Sequence, residues 1–139
     1  MMTVETNLRL AGVLLILLGL AHLFFNRYLG WNTETAKLNV LTRQVFYVHC
    51  FFIVLVLFMM GAVSIFYAGE LLKPSPLSRA LLLSLALFWL VRLVVQWFVY
   101  DVRIWRGSPL FTTAHWLFSL LWIYLAGTYS LAWKAGSSS

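Results

Sequence analysis

The sequence predicts an all-α integral membrane protein, a four-helix transmembrane bundle of antiparallel, up-and-down helices with both termini on one face. Of its 139 residues, 63% are hydrophobic and 10% are charged, whereas a soluble domain carries roughly 25% charged residues. Four apolar stretches, about residues 8–28, 45–69, 77–100 and 110–131, each reach the roughly 20 residues that a spanning helix needs. These runs are continuous rather than alternating, which argues against a transmembrane β-barrel.

The four stretches use most of the chain, so we predict one transmembrane domain over residues 1–134 and no soluble domain. The small, polar residues 135–139 are expected to form a disordered tail. Residues 29–44 are polar for this chain, and we expect them to form an interfacial segment, either as a short helix or as a wet extension of the second span.

Two sequence signals mark the starts of the third and fourth spans. Ser75-Pro76 and Ser108-Pro109 each place a good N-cap residue immediately before a proline, which is favoured at the first helical position. Because the connections are short, neighbouring helices are expected to run antiparallel. The loops after the first and third spans then lie on the same membrane face, here called face B.

The net charge of +6 comes from basic residues that fringe the spans and form no Lys/Arg-rich run. Such residues are typical of attraction to anionic lipid headgroups, so we predict contact with the bilayer and no binding of nucleic acid. Face B carries five of these residues and the opposite face four, which favours a cytoplasmic face B only slightly under the positive-inside rule. The single cysteine, Cys50, excludes a disulfide within the chain.

All three histidines of the chain fall near face B, on three different spans. His22 lies near the end of the first span, His49 near the start of the second and His115 near the start of the fourth. Imidazole is a common ligand of haem iron and of transition metals, so residues that converge from three helices indicate a metal site. Helix-end solvation is the simpler explanation for any one of these histidines taken alone.

Arg92 is the second informative feature, because it lies nine positions before Asp101 and therefore about 13 Å deeper in the membrane. An arginine at such a depth costs at least about 2.5–3.5 kcal/mol on insertion scales and needs a partner. The chain has only four acidic residues, and none is expected at this depth. A haem propionate, a lipid carboxylate or headgroup, or a quinone oxygen would supply the missing acceptor. Backbone carbonyls, or Gln96 in a water-filled vestibule, are the alternative partners.

Four further polar residues are predicted to complete a cofactor-binding site with Arg92 near face B. Gln96 shares a helix face with Arg92, and Asp101 closes the third span. Asn26 lies on the stripe of the first span that carries His22, and Ser119 lies on the stripe of the fourth span that carries His115. For Asp101, a local pair with Arg103 is the competing interpretation.

Three functions fit this pattern, and the sequence does not decide whether the chain is an enzyme. A b-type haem between two histidines, with propionates on arginine, would give a role in electron transport. A transition metal on the three histidines, with Asp101 as base or orienting residue, would suit a lipid-acting hydrolase. The third function needs no cofactor: an accessory or assembly subunit of a larger membrane complex, or a homo-oligomer, in which Arg92 pairs with an acid of another chain.

Overall fold

The computed structural model describes residues 3–101 and 103–137, except for the side chains at positions 26, 104, 105 and 137. Its described residues form seven helices and no strand: α1 (Val4–Leu29), α2 (Trp31–Thr35), α3 (Val40–Phe66), α4 (Ala68–Leu71), α5 (Pro76–Phe98), α6 (Arg103–Arg106) and α7 (Pro109–Ser137). Four of them, α1, α3, α5 and α7, are long and apolar enough to cross a membrane. The predicted all-α fold class with four membrane-spanning helices is confirmed, and the chain is a multi-pass membrane protein.

The helix ends differ from the predicted spans by a few residues, as is usual for boundaries. α3 begins at Val40 rather than near residue 45, so part of the predicted interfacial segment extends the second span, while α2 supplies a short helix before it. α7 continues past residue 131 to Ser137, and the last two positions of the predicted disordered tail lie outside the described residues.

Local capping explains where the helices begin. Ser75 has an extended backbone and its side chain accepts a hydrogen bond from the Ser78 N–H at 3.1 Å, with Pro76 at the first helical position. The predicted start of the third span is therefore confirmed. Asn39 caps α3 in the same way, accepting from the Thr42 N–H at 2.8 Å. Gly30, at φ 66°, takes the left-handed conformation that separates α1 from α2 and that glycine adopts without strain.

By their contacts, the residues group into two compact units, one of Met1–Leu8 with Ala68–Ser139 and one of Arg9–Tyr67. The single transmembrane domain that the sequence suggests stays a prediction. In each of the four spanning helices, no more than a third of the apolar stretch is buried inside the protein. Large apolar side chains cover much of the remaining surface. In a multi-pass membrane protein, this surface is the one that contacts lipid.

In the Arg9–Tyr67 unit, two glycines bring α1 and α3 into backbone contact. A Cβ added at Gly12 would lie 2.7 Å from the carbonyl oxygen of Gly61, and one added at Gly61 would lie 2.8 Å from that of Gly12. Because lipid provides no hydrophobic drive for helices to associate, close packing at small residues is what holds such a pair together. Arg9 adds a hydrogen bond from Nη1 to the Ile65 carbonyl oxygen at 2.6 Å, near the end of α3.

In the other unit, α5 packs against α7 along an extended seam. The residues that α5 buries follow helical spacing, Leu82, Ala86, Trp89 and Gln96. On α7, Trp122 meets Trp89 and Gln96, and Leu125, Ala126 and Tyr129 of the same helix are also buried. The seam is apolar over most of its length and becomes polar and aromatic toward the end of α5 and the start of α7.

Gly12→Ala is expected to destabilise the α1–α3 contact by about 1–3 kcal/mol, because the new methyl group meets a backbone oxygen that cannot move independently. Gly127→Ala is the matched control, since a Cβ at this helical position meets nothing within 4 Å. Thermal unfolding of both variants in the same detergent measures the difference. Equal unfolding temperatures for the two variants would contradict the backbone contact.

Candidate polar site between helices 5 and 7

The structure brings several of the predicted site residues together at the polar end of the α5–α7 seam. Gln96 on α5 and His115 on α7 are directly hydrogen-bonded, and Arg92 joins them through a shared neighbour, Trp122. We call Trp89, Arg92, Gln96, His115 and Trp122 the seam cluster. All five lie in the same compact unit.

Gln96 links the two helices through both ends of its amide group. Its Nε2 lies 2.9 Å from Nδ1 of His115, and its Oε1 lies 3.4 Å from Nε1 of Trp122. All three side chains are buried, with residue exposures of 6% for Gln96, 5% for His115 and 3% for Trp122. A buried amide that reaches both partners fixes the register of α5 on α7, because sliding one helix would leave several polar groups unsatisfied.

The chemistry of these groups sets the direction of each hydrogen bond and the tautomer of His115. An indole N–H can only donate, so Gln96 accepts from Trp122 through its carbonyl oxygen and presents its NH2 group to His115. His115 Nδ1 must then accept, and the neutral imidazole carries its proton on Nε2. The Nδ1 lone pair is occupied by the amide, so a metal ion bound there would have to displace Gln96.

Ser119 lies one turn after His115 but directs its hydroxyl group into its own helix. Its Oγ donates to the His115 carbonyl oxygen at 2.7 Å, and the residue is 1% exposed. Such back-bonding satisfies a serine buried within a helix. Ser119 therefore borders the seam cluster, and its proton is already used.

Arg92 places its guanidinium group against aromatic rings. Its central carbon lies 4.9 Å from the ring centroid of Trp122 and 5.6 Å from that of Tyr100, and Nη2 donates to the Tyr100 hydroxyl oxygen at 3.5 Å. Cation–π contact of this kind contributes about 0.5–2 kcal/mol. Arg92 forms no ion pair with any residue that the structure describes. Its Nη1 is buried and donates no hydrogen bond within that part of the chain.

Trp89 carries the second buried donor that lacks an acceptor. It is 2% exposed and stacks on Trp122 with ring centroids 5.2 Å apart and an interplanar angle of 12°. Its Nε1 has no hydrogen-bond acceptor among the described residues. Most buried polar atoms in proteins are hydrogen-bonded, so two donors without acceptors, one helical turn apart at Trp89 and Arg92, mark this seam as unusual.

Trp89 was not among the residues predicted from the sequence, although its spacing could have identified it. Trp89, Arg92 and Gln96 follow one another at three and four positions, which puts them on one face of α5. The available signal was that Trp89, an aromatic residue with a polar N–H group, lies at the apolar end of the helix face that carries Arg92 and Gln96. Aromatic residues close the rest of the cluster: Phe118 stacks on Trp122 at 5.7 Å, and Trp97 meets His115 edge-on at 4.6 Å.

Asp101, which the sequence suggests as a cofactor-binding residue, makes its described contacts with Arg103. One carboxylate oxygen accepts from the Arg103 backbone N–H at 2.9 Å, and the other accepts from Nη2 at 2.7 Å. The side-chain hydrogen bond, followed by the backbone one, lowers the pKa of the Asp101 carboxyl group below its ordinary value. This carboxylate helps to start α6 and is exposed, so its pairing with Arg103 matches the competing interpretation.

His22 and His49 lie in the Arg9–Tyr67 unit, and each donates from Nδ1 to the carbonyl oxygen four residues earlier. The distance is 2.8 Å both from His22 to Leu18 and from His49 to Val45. Because a carbonyl oxygen only accepts, the proton sits on Nδ1, and Nε2 carries the lone pair in the neutral ring. Metal-bound histidines often have this arrangement.

The convergence of His22, His49 and His115 on one metal ion stays a prediction. Within the described residues, no group of three or more His, Cys, Asp or Glu side chains is close enough to hold a metal ion. Asn26 lies in α1, but its side chain is outside the described part of the structure, so its predicted role stays a prediction as well.

No protein-family model, curated protein or solved structure matches this chain. The function therefore has to be argued from the seam cluster and its surroundings.

Gln96→Leu is expected to lower the free energy of unfolding by about 1–3 kcal/mol, because it removes the buried hydrogen bonds from the Trp122 N–H to Gln96 and from Gln96 to the His115 Nδ1. Ser84→Ala on the same helix is the control, since the Ser84 hydroxyl group donates to its own helix, at the Ala80 carbonyl oxygen. Thermal unfolding in detergent compares the two. A Gln96→Leu variant as stable as the control would show that the amide does not join the helices.

Arg103→Gln is expected to return the pKa of Asp101 toward its ordinary value, because Arg103 causes the lowering. Because the pKa of this carboxyl group is lowered in the folded state, its ionised form stabilises the fold at pH values above the ordinary pKa of aspartate. This contribution is lost as the pH falls through the lowered pKa. Titration of the Asp101 carboxyl carbon by NMR measures the change, with Arg106→Gln as the control. An unchanged titration midpoint in Arg103→Gln would exclude the pair.

Proposed function

We propose that this multi-pass membrane protein binds the anionic head of an amphiphile at the seam cluster, with Arg92 as the residue that neutralises the charge. The observation that carries the proposal is the buried Nη1 of Arg92, which has no acceptor and no acidic partner among the described residues. A ligand head with an anionic oxygen would provide both. The lipid bilayer is the natural source of such a molecule.

The free-energy cost of placing Arg92 in a membrane exceeds what its described contacts return, which supports a missing partner. Placing an arginine in a spanning helix costs at least about 2.5–3.5 kcal/mol on insertion scales. The aromatic contacts of Arg92 return about 0.5–2 kcal/mol, and a buried donor without an acceptor costs roughly 1–3 kcal/mol more. The net penalty is removed when an anion accepts from Nη1, because a charge-assisted hydrogen bond is about twice as strong as a neutral one.

In the cofactor form of this proposal, the bound ligand is a haem or a transition metal. His22 and His49 support it, because each presents Nε2 with its lone pair and anchors Nδ1 on a carbonyl oxygen. In that form the chain binds haem b or a metal through histidine near face B, and Arg92 pairs with a propionate, which gives a redox role. A three-histidine hydrolase has less support, because Gln96 occupies Nδ1 of His115.

An accessory or assembly subunit is the second candidate, and the same arginine favours it. A glutamate or aspartate on a spanning helix of another chain would satisfy Nη1 as well as a small anion does. Exposed apolar side chains on α5 next to the site, such as Phe88 and Val91, would then face protein instead of lipid. The two candidates differ in whether a small molecule or a polypeptide accompanies the purified chain.

Arg92→Leu is expected to reduce the copurified anionic amphiphile at least tenfold, because it removes the positive charge and the donors. Native mass spectrometry of the protein in a mild detergent measures this loss, and an absorption spectrum of the same sample detects haem. Arg79→Leu is the matched control, since Arg79 is also on α5, also lies over a tryptophan (Trp133, at 5.7 Å) and is exposed. Without ligand, Arg92→Leu should unfold at a higher temperature than the wild type.

Equal occupancy by an amphiphile in Arg92→Leu and Arg79→Leu would overturn the binding proposal. A stoichiometric polypeptide that is lost only from Arg92→Leu, with no small molecule in any sample, would replace it with the accessory-subunit function. Retention of a Soret band or a bound metal that requires His22 or His49 would establish the cofactor form.

A further inference from the structure

We propose that the head bound at the seam cluster is a single carboxylate, held between Nη1 of Arg92 and Nε1 of Trp89. This inference rests on the proposed function and narrows its ligand class. Both donor atoms are buried and have no acceptor among the described residues, and Trp89 as a whole is only 2% exposed. They belong to positions i and i+3 of one helix, whose Cβ atoms lie about 5–6 Å apart.

The two donor atoms suit a carboxylate. A carboxylate has two oxygens that only accept, and the seam cluster offers two nitrogen atoms that lack acceptors, Nε1 of Trp89 and Nη1 of Arg92. The remaining polar groups are engaged: Gln96 is bonded to His115 and Trp122, and the Ser119 hydroxyl group is bonded to its own helix.

The charge balance points the same way. Arg92 supplies one positive charge to the cluster. His115 adds none, because an imidazole whose Nδ1 accepts a hydrogen bond from Gln96 is neutral. A carboxylate neutralises one charge, whereas a phosphate monoester at pH 7 carries about −1.5 to −2. A neutral quinone or alcohol would accept a hydrogen bond but would leave the guanidinium charge without a counter-ion in a medium where charge is costly.

Aromatic and apolar surfaces next to the two donors suit the rest of such a ligand. The rings of Trp89 and Phe118 each stack on the ring of Trp122, so apolar ring surface lines the seam cluster. On α5, Phe88 and Val91 directly precede the two donor residues in the sequence and are 47% and 59% exposed, and the Phe88 ring meets that of Trp89 edge-on at 4.9 Å. A hydrocarbon chain that leaves the donors would lie against these side chains. A long-chain fatty acid has this chemistry, and so has a haem, whose propionates are carboxylates on an apolar plate.

The test is binding of defined probes to the delipidated full-length protein in detergent, measured by isothermal titration calorimetry. The probes are oleate, oleyl alcohol, dioleoyl phosphatidate and hemin, and hemin is also followed by its Soret band. We expect oleate or hemin to bind, oleyl alcohol to bind at least tenfold more weakly than oleate, and phosphatidate to bind at least tenfold more weakly than the carboxylate that binds best.

Two variants assign the binding to the proposed donors. Trp89→Phe keeps an aromatic ring next to Trp122 but removes the N–H group together with part of the indole ring, so it should weaken the carboxylate probe about tenfold. Arg92→Gln removes the charge and should weaken it more. Trp133→Phe is the control for the same truncation of a tryptophan on the same pair of packed helices, because its ring lies against Arg79, 11 residues after Trp122 on α7.

Each outcome either supports or overturns the inference. If oleate binds and the binding depends on Trp89 and Arg92, the ligand is a fatty acid. If hemin binds with this dependence and oleate does not bind, the carboxylate is a haem propionate. Phosphatidate or oleyl alcohol that binds as tightly as oleate, with dependence on Arg92, overturns the carboxylate while leaving the proposed function in place. Binding of every probe unchanged in Arg92→Gln, or absent altogether, overturns both.

Discussion

The hydrocarbon interior of a membrane contains no water to complete an unfinished hydrogen bond, and the polar seam of this protein depends on that constraint. Gln96 meets it by bonding to both Trp122 and His115 across α5 and α7. Ser119 meets it within its own helix. Where every polar group has a partner, the structure is fixed by the cost of breaking that pattern. The donors of Trp89 and Arg92, which have no acceptor among the described residues, are exceptions to this pattern, and the proposed ligand is the explanation that we offer for them.

Two different physical devices hold the helices of the two units. In the Arg9–Tyr67 unit, Gly12 and Gly61 allow backbones to touch, and dispersion over a close contact provides the attraction. In the other unit, large aromatic residues such as Trp89 and Trp122 fill the seam, and a buried amide sets its register. The first device leaves no space between the two glycine backbones, whereas the second surrounds the polar donors with aromatic rings.

The sequence was a good guide wherever a property depended on the order of residues along one helix. Continuous apolar runs predict the four spans, and Ser75-Pro76 predicts the start of α5, because solvent and capping act locally. The lack of an acid at the depth of Arg92 could be predicted from the positions of the four acidic residues along the chain. The stacking of Trp89 on Trp122 and the use of His115 Nδ1 by Gln96 depend on how two helices face each other, which periodicity in one helix does not specify.

The position of Trp122 on α7 also bears on how the protein is made. Synthesis proceeds from the N-terminus, so α5 enters the membrane with Arg92 before the ring that shields this charge has been translated. During that interval the leucine-rich body of α5 alone must outweigh the cost of a buried guanidinium group. Arrival of α7 then covers the charge and closes the seam, so α7 completes the insertion of α5.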